Sequence, residues 1–201
     1  MFSAMLSAFL RKKKLRRTAR RLYALAVQQA RSPFIYNDFS VPDTVDGRFD
    51  AVVLHVFLLL KRMSLEGTED SAYLSQALFD ALFQDMDRNL REMGVGDLSV
   101  GKHIKRMAEA YYGRAAAYEI ALVSEDVSAL RKALLRNVYR QEDGIDVPLE
   151  DCMNAFIVYI QAVADMLTSS PFSDFLEGRL IWPREKVSHS MHADTEVMGV
   201  I

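Results

Sequence analysis

The stretch LFDALFQDMDRNLREMGVGDLSVGKHIKRMAEAYYGR occupies residues 78–114 and decides how this chain folds. Apolar residues recur every three or four positions on both sides of its Gly-Val-Gly centre, which is the period of an α-helix with one buried face. Gly94 suits the left-handed position that ends many helices. The spacing therefore predicts two helices, about 71–93 and 99–122, joined by a short turn as an antiparallel hairpin.

A charged stripe follows this hairpin, away from its apolar faces. Asp87 precedes Arg91 by four residues, an arrangement that favours an ion pair on a helix. Methionines on the same helix offer soft apolar contact area. Two alternatives stay open: the stripe contacts a client or partner protein, or it is a salt-bridge lattice that holds the bundle, with the methionines as ordinary core. The candidate contact residues are Asp80, Asp87, Arg91, Glu92, Lys102, Arg114, Met86 and Met93.

The rest of the chain shows the same helical period and no strand pattern, so we predict an all-α, single-domain bundle of about six helices. The most apolar segment, about 44–62, has hydrophobic residues on nearly all sides and should lie at the centre. Gly113 inside a helix costs about 1 kcal/mol relative to alanine, which predicts close approach by another group. The predicted division is a basic amphipathic helix over 1–31, a helical domain over 32–181 and a flexible tail over 182–201.

Side chains that cap helix ends mark several boundaries. Residues 34–42 show no periodicity and are predicted to be irregular. Residues 141–147 are predicted to be a loop that follows a helix of about 125–140. The predicted caps are Asp43 or Thr44 for the central helix, Asp97 or Ser99 for the second hairpin helix, and Ser124 for the helix after it.

Charge is distributed unevenly, because residues 1–37 carry nine of the 25 basic residues and no acidic one, although the net charge is −2. A basic segment on an acidic body predicts contact with an anionic partner, either lipid headgroups or ribosomal RNA. Apolar residues among the bases favour a helix that lies in a membrane interface. The alternative is a solvated basic helix whose last two turns dock on the core. The candidate contact residues are Arg11, Lys12, Lys13, Lys14, Arg16, Arg17, Arg20 and Arg21.

Composition narrows the class of protein further. The single cysteine, Cys152, excludes an internal disulfide framework and favours a reducing compartment. The longest apolar run, residues 51–60, is well short of the roughly 20 residues that a membrane-spanning helix needs. The basic residues of the first segment follow the apolar run 2–10 rather than precede it, which does not fit a secretory signal. The Arg-rich, acid-free composition of this segment leaves a mitochondrial transit peptide open.

The sequence lacks the spacings that build common catalytic and metal sites, so no catalytic residue, metal ligand or cofactor is predicted. No Glu-x-x-His pair of a di-metal bundle occurs. Asp85 and Asp87 point about 200° apart on a helix and cannot chelate one ion together. The bases after the hairpin turn flank inward positions, so no DNA partner is predicted. His55 interrupts the central apolar run, and we predict a hydrogen-bonded core residue rather than a ligand.

Four stretches together resemble the ubiquinol–cytochrome c chaperone family, whose members assist the assembly of respiratory complex III. The stretches are VPDTVDGRF (41–49), LHVFLLLKRM (54–63), LFDALFQDMDRNLREMGVGDLSVGKHIKRMA (78–108) and YYGRAAAYE (111–119). Each stretch alone is weak, but the combination is specific. The resemblance covers about residues 23–118.

The resemblance implies a non-enzymatic assembly chaperone that binds newly synthesised cytochrome b near the ribosome or the membrane. It also implies a small partner protein, which organellar members use at the ribosomal exit tunnel. The start of the chain resembles that of bacterial members, which implies a cytoplasmic location at the inner face of the membrane; in an organelle the equivalent place is the matrix side. The alternative function is a peripheral membrane or ribosome-surface adaptor that acts through the basic helix.

Overall fold

The computed structural model describes residues 2–140 and 149–183, and all regular structure within them is helical. The predicted all-α bundle is therefore confirmed, with six substantial helices and two short ones. The helices are α1 (Phe2–Ala30), α2 (Pro33–Asn37), α3 (Val45–Ser64), α4 (Glu69–Glu92), α5 (Asp97–Val123), α6 (Val127–Asn137), α7 (Glu150–Ser169) and α8 (Phe172–Glu177).

Helix α3 lies at the centre, as its apolar sequence predicts. Every residue from Asp50 to Leu59 is buried, because α1, α4, α5 and α7 all pack around it. Thr44 caps the helix, as one of the two predicted candidates: its hydroxyl accepts a hydrogen bond from the backbone N–H of Gly47 at 3.0 Å. The segment before α3 is not wholly irregular, because Pro33 occupies the first turn of the short helix α2 instead of only ending α1.

The α4–α5 hairpin forms as predicted, with one difference at its turn. Thr68 and Ser71 form a reciprocal capping box at the start of α4. Gly94 has φ +83° and so takes the left-handed conformation expected after the last turn of the helix. Neither Asp97 nor Ser99 caps α5, because the capping position falls on Gly96 and Asp97 is already the first helical residue.

Helix α1 packs along α4, and the two helices run in the same direction. Arg11 pairs with Asp70 near the start of α4 at 2.5 Å, and Tyr23 donates a hydrogen bond to Asp85 at 2.7 Å further along. Burial and the neighbouring Asp85 carboxylate both raise the pKa of Tyr23, so this phenol remains a donor. The buried stripe of α1 comprises Leu15, Thr18, Ala19, Leu22, Ala26 and Ala30.

The α5–α6 region corrects two predictions. Asp126, rather than Ser124, caps α6 by accepting hydrogen bonds from the backbone N–H groups of Ser128 and Ala129. Gly113 is exposed, and a Cβ atom built there meets nothing within 4 Å. The close approach predicted at this glycine is therefore absent from the described part of the chain.

Helix α7 runs parallel to α3, with Tyr159 beside His55 and Leu167 beside Arg62. It is long and apolar enough to cross a membrane by length and composition. Polar residues such as Asn154 and Gln161 interrupt its sequence, so it contains no long uninterrupted apolar run. Its residues Phe156, Tyr159, Ile160 and Val163 are nevertheless buried in the core of the bundle. We therefore interpret α7 as a core helix.

The segment after α8 returns along α1. Gly178, with φ +65°, ends α8 and lies against the side chain of Arg21. Trp182 was predicted to begin a flexible tail, but its indole is buried and packs edge-on against His55 at a centroid distance of 5.5 Å. The ordered body thus extends at least to this tryptophan. The predicted loop 141–147 and residues 184–201 of the predicted tail lie outside the described residues.

Candidate functional site

The charged stripe of the hairpin is a surface ion-pair lattice near the α4–α5 turn. Arg91 donates to Asp87 at 2.7 Å and also contacts Asp97 at the start of α5. The neighbouring guanidinium lowers the pKa of the Asp87 carboxyl, which stays charged at neutral pH. Because these groups are solvated, they add little to stability and remain available to a partner.

The other polar candidates on the hairpin are also accessible. Asp80 is exposed and accepts a hydrogen bond from Gln76 at 2.8 Å. Glu92 is exposed, with its carboxylate 3.9 Å from Arg88, and Lys102 is exposed in the first turns of α5. Five of the six charged candidates are therefore accessible on the hairpin.

The methionine candidates separate into one core residue and one surface residue. Met86 is 8% exposed and belongs to the buried face of α4, so it cannot meet a partner in this conformation. Met93, in contrast, is 58% exposed beside the turn, so the alternative that it is an ordinary core residue is wrong. Leu98, which the helical pattern did not single out, is fully exposed one residue into α5. Met93 and Leu98 give the turn an apolar surface bordered by the ion pairs of α4.

Arg114 does not belong to the stripe. Its guanidinium is largely buried, and its Nη2 lies 2.8 Å from Oδ1 of Asp50, which is fully buried in α3. The same guanidinium lies over the ring of Phe49, 5.9 Å from its centroid. Arg114 therefore holds α5 against α3, which favours the structural alternative for this residue.

Asp50 is the residue that joins three elements at this point. Arg140, just after α6, donates to its second carboxylate oxygen at 3.1 Å and to Asp46 at 2.5 Å. Burial raises the pKa of Asp50 to about 6, and the two arginines oppose that rise without cancelling it. The carboxylate is thus mainly ionised at neutral pH. In the sequence, Asp50 is only an acidic residue directly before an apolar run. This pattern does not indicate which basic residues pair with it.

His55 is a satisfied core residue, as predicted. Its Nδ1 lies 2.7 Å from the carbonyl oxygen of Ala51 and its Nε2 lies 2.8 Å from the hydroxyl of Tyr159. Gln29 donates to the same hydroxyl at 2.9 Å and to the carbonyl of Pro183 at 3.3 Å. This network ties α1, α3, α7 and the last described segment together. Nothing in it is arranged around an open metal position.

We expect acid to weaken the protein through His55. Burial lowers its pKa to about 4, whereas an unfolded histidine has a pKa of about 6.5, so the unfolded state binds more protons between these values. The neutral ring therefore stabilises the fold above pH 6.5, and this contribution is lost as the pH falls toward 4. Asp50 acts in the opposite direction, because its raised pKa favours the fold as the pH falls through 6.

A His55→Gln variant separates the two effects. Between pH 7 and pH 5 the wild-type protein should lose about 2 kcal/mol relative to this variant, measured as the free energy of unfolding in urea. Glutamine can keep a hydrogen bond to Tyr159 but does not titrate. Identical pH dependence in the two proteins would contradict the assignment.

The basic residues of α1 are divided between the body of the protein and solvent. Arg11 pairs with Asp70, while Lys12 and Arg16 lie over the ring of Tyr73 at 5.6 and 6.0 Å. Docking of α1 on the core begins at Leu15, so it involves far more than the last two turns. The exposed basic residues that form neither an ion pair nor a ring contact among the described residues include Lys13, Lys14, Arg17 and Arg20.

Metal-binding chemistry finds no support in the described residues. No group of three histidine, cysteine, aspartate or glutamate side chains in residues 2–140 and 149–183 could hold an ion. Cys152 is partly buried rather than fully inward, and it is a free thiol. His189 and His192 lie outside the described residues.

Comparison with known proteins identifies relatives of this chain. Residues 37–182 match the sequence model described as ubiquinol-cytochrome C chaperone, so all of α1 lies outside the match. The ubiquinol-cytochrome-c reductase complex assembly factor 1 of Xenopus laevis is 24% identical over 170 residues, which are 84% of this chain and 82% of that protein. The human protein of the same name is 26% identical over 84% of this chain, but the matched part is only 55% of its length.

A solved structure agrees with these sequence matches. The crystal structure of the Cbp3 homolog from Brucella abortus superposes with a TM-score of 0.77 at 33% identity, covering 90% of this chain and 97% of that one. The family resemblance noted in the sequence is thereby confirmed over nearly the whole described fold. This chain belongs to the ubiquinol–cytochrome c chaperone family, the assembly factors of ubiquinol–cytochrome c reductase.

Proposed function

We propose that this chain is a non-enzymatic chaperone that binds newly synthesised cytochrome b during assembly of ubiquinol–cytochrome c reductase. The observation that carries the proposal is the family match over residues 37–182, joined to relatives that are named as assembly factors of that complex. Binding a nascent membrane protein requires an accessible surface with both apolar and charged groups. The α4–α5 turn offers such a surface.

The client surface that we propose is defined by Met93 and Leu98 with the charged residues around them. The two apolar side chains are exposed and lie five residues apart in sequence, on either side of Gly94 and Gly96. The surrounding ion pairs are solvated, so a partner can exchange them without exposing a buried charge. The charged members are Asp80, Asp87, Arg91, Glu92 and Lys102.

Met86 and Arg114 are not part of the proposed surface. The first is buried in α4 and the second is engaged with Asp50, so both would contact a client only after the bundle opens. Their role in this proposal is to keep the hairpin rigid. A small partner protein, if used, would be a second occupant of the exposed hairpin.

Site-specific crosslinking tests the proposal. A photoreactive amino acid at Leu98 should form an adduct with tagged cytochrome b in cells during its synthesis, because this side chain is fully exposed at the turn. The same amino acid at Asp165, which is exposed on α7 and outside the hairpin, is the matched control and should give no adduct.

Gene deletion tests the function, and comparison of the two crosslinking positions tests the surface. Deleting the gene should lower the amount of assembled complex III, and the Leu98 variant with its crosslinker unactivated should restore it. Equal adducts from Leu98 and Asp165 would contradict the assigned surface. Normal complex III after deletion would contradict the function itself.

A further inference from the structure

The first turns of α1 extend beyond the bundle. All side chains from Met5 to Lys14 are exposed, and the first buried residue of the helix is Leu15. The contact between Arg11 and Asp70 marks where α4 begins to support α1. The turns before Arg11, through which the helix continues, therefore extend past the start of α4 with exposed side chains from Met5 onward.

Apolar and basic residues are separated along the axis of this helix. Leu6, Phe9, Lys13, Arg17 and Arg20 follow one another at three- and four-residue spacing, so they share the face that points away from the core. Along that face, apolar side chains come first and basic side chains follow. This differs from the helix lying flat in a membrane that the sequence suggested, because the apolar part is one end of the helix rather than one side.

Other exposed apolar residues lie at the same end of the bundle. Lys61 in the last turn of α3 pairs with Glu119 near the end of α5 at 2.7 Å, and the loop after α3 leads directly to the start of α4, where Asp70 meets Arg11. The ends of α3 and α5 therefore lie at the end of the bundle from which the exposed turns of α1 extend. The large exposed apolar residues at this end are Met5, Leu6, Phe9, Leu10, Leu65, Ile120, Val123 and Val127.

The charges at this end favour an anionic partner. Lys13, Lys14, Arg17 and Arg20 form no ion pair within the described part of the chain. Most nearby acids are already engaged, because Asp70, Glu66 and Glu119 pair with Arg11, Arg62 and Lys61, and Asp126 caps α6. Glu69 and Glu125 are the exposed acids that remain. The excess of accessible positive charge lies directly behind the apolar turns.

We infer that this end of the bundle docks on an anionic lipid bilayer. The apolar turns of α1 enter the interface end-first, and the bases that follow remain among the headgroups, where lysine and arginine are attracted to acidic lipids. RNA is the less suitable partner. Contacts to RNA phosphates use lysine and arginine side chains, and the four accessible apolar side chains on these two turns would not strengthen them. The inference concerns lipid alone and does not depend on the identity of the client.

Vesicle co-sedimentation of the full purified chain tests this inference. The protein should bind vesicles of phosphatidylglycerol with phosphatidylcholine and bind vesicles of phosphatidylcholine alone much more weakly. The Phe9→Ser/Leu10→Ser variant should lose binding by about tenfold or more, because each side chain loses apolar burial. The Lys13→Gln/Arg17→Gln variant should lose about 30-fold on the anionic vesicles.

A matched control removes two equally exposed charges elsewhere. Lys105→Gln/Arg106→Gln on α5 should bind anionic vesicles as the wild type does. All variants alter exposed side chains, so their thermal unfolding should coincide with that of the wild type. Vesicle binding unaffected by the Phe9/Leu10 change would overturn the inference. Binding to single-stranded RNA but not to vesicles would overturn it in favour of RNA. Neither result would affect the crosslinking test at Leu98.

Discussion

Replacing Asp50 with alanine is expected to destabilise the protein by about 3–5 kcal/mol, because it leaves the buried Arg114 guanidinium without its counter-charge. Arg140 can turn toward solvent, since it is partly exposed, but Arg114 is enclosed between α3 and α5. The measurement is the free energy of unfolding from urea denaturation at pH 7, where Asp50 is mainly ionised.

Two controls decide whether the buried pair is the cause. Asp46→Ala removes only the exposed partner of Arg140 and should cost less than about 1 kcal/mol. The Asp50→Ala/Arg114→Ala double variant should lose less than the sum of its single variants, because it no longer buries a lone charge. A loss below about 1 kcal/mol for Asp50→Ala alone would show that this carboxylate does not hold α5 to α3.

A Gly47→Ala substitution is expected to cost about 3 kcal/mol through a steric clash. A Cβ atom at this position lies 2.0 Å from the carbonyl oxygen of Pro42 and 3.0 Å from its carbonyl carbon. Because these are backbone atoms, a side-chain rotation cannot relieve the overlap. The turn that positions the Thr44 cap must move instead, and the start of α3 should fray. Thermal unfolding with far-ultraviolet circular dichroism measures the loss.

Gly113→Ala is the matched control, because the same change is made in a helix with free space around it. A Cβ atom there meets nothing within 4 Å, so alanine should stabilise α5 by about 0.5–1 kcal/mol through its better helix propensity. The two substitutions should therefore shift the melting temperature in opposite directions. Shifts of the same sign would contradict the local geometry at one of the two glycines.

Local sequence signals predicted the helices and several of their ends. The central position of α3 follows from its apolar residues on all sides, and the cap at Thr44 and the turn at Gly94 follow from side-chain chemistry and backbone conformation. These features depend on residues within a few positions of one another. The helix α2 was missed because a five-residue helix has too few turns to show a period.

Long-range partners could not be predicted from the same signals. Arg114 seemed to continue the charged stripe of the hairpin, but its partner is Asp50, more than sixty residues earlier in the chain. Trp182 seemed to begin a tail because it has no periodic neighbours, yet it covers His55 across the bundle. Gly113 seemed to require a close neighbour, and the described chain provides none. For Arg114 and Trp182 the deciding contact joins elements whose pairing a periodic pattern does not encode.

The parallel packing of α1 and α4 fixes a distance between the two surfaces proposed above. The exposed turns of α1 precede Arg11, which contacts the start of α4, and Met93 and Leu98 lie where α4 ends, 24 residues after that start. A helix rises 1.5 Å per residue, so about 36 Å separates them. When the exposed turns of α1 lie on a bilayer and the axis of α4 is perpendicular to it, the length of α4 sets the distance of Leu98 from the membrane. A membrane-anchored polypeptide then needs about eleven extended residues to reach Leu98.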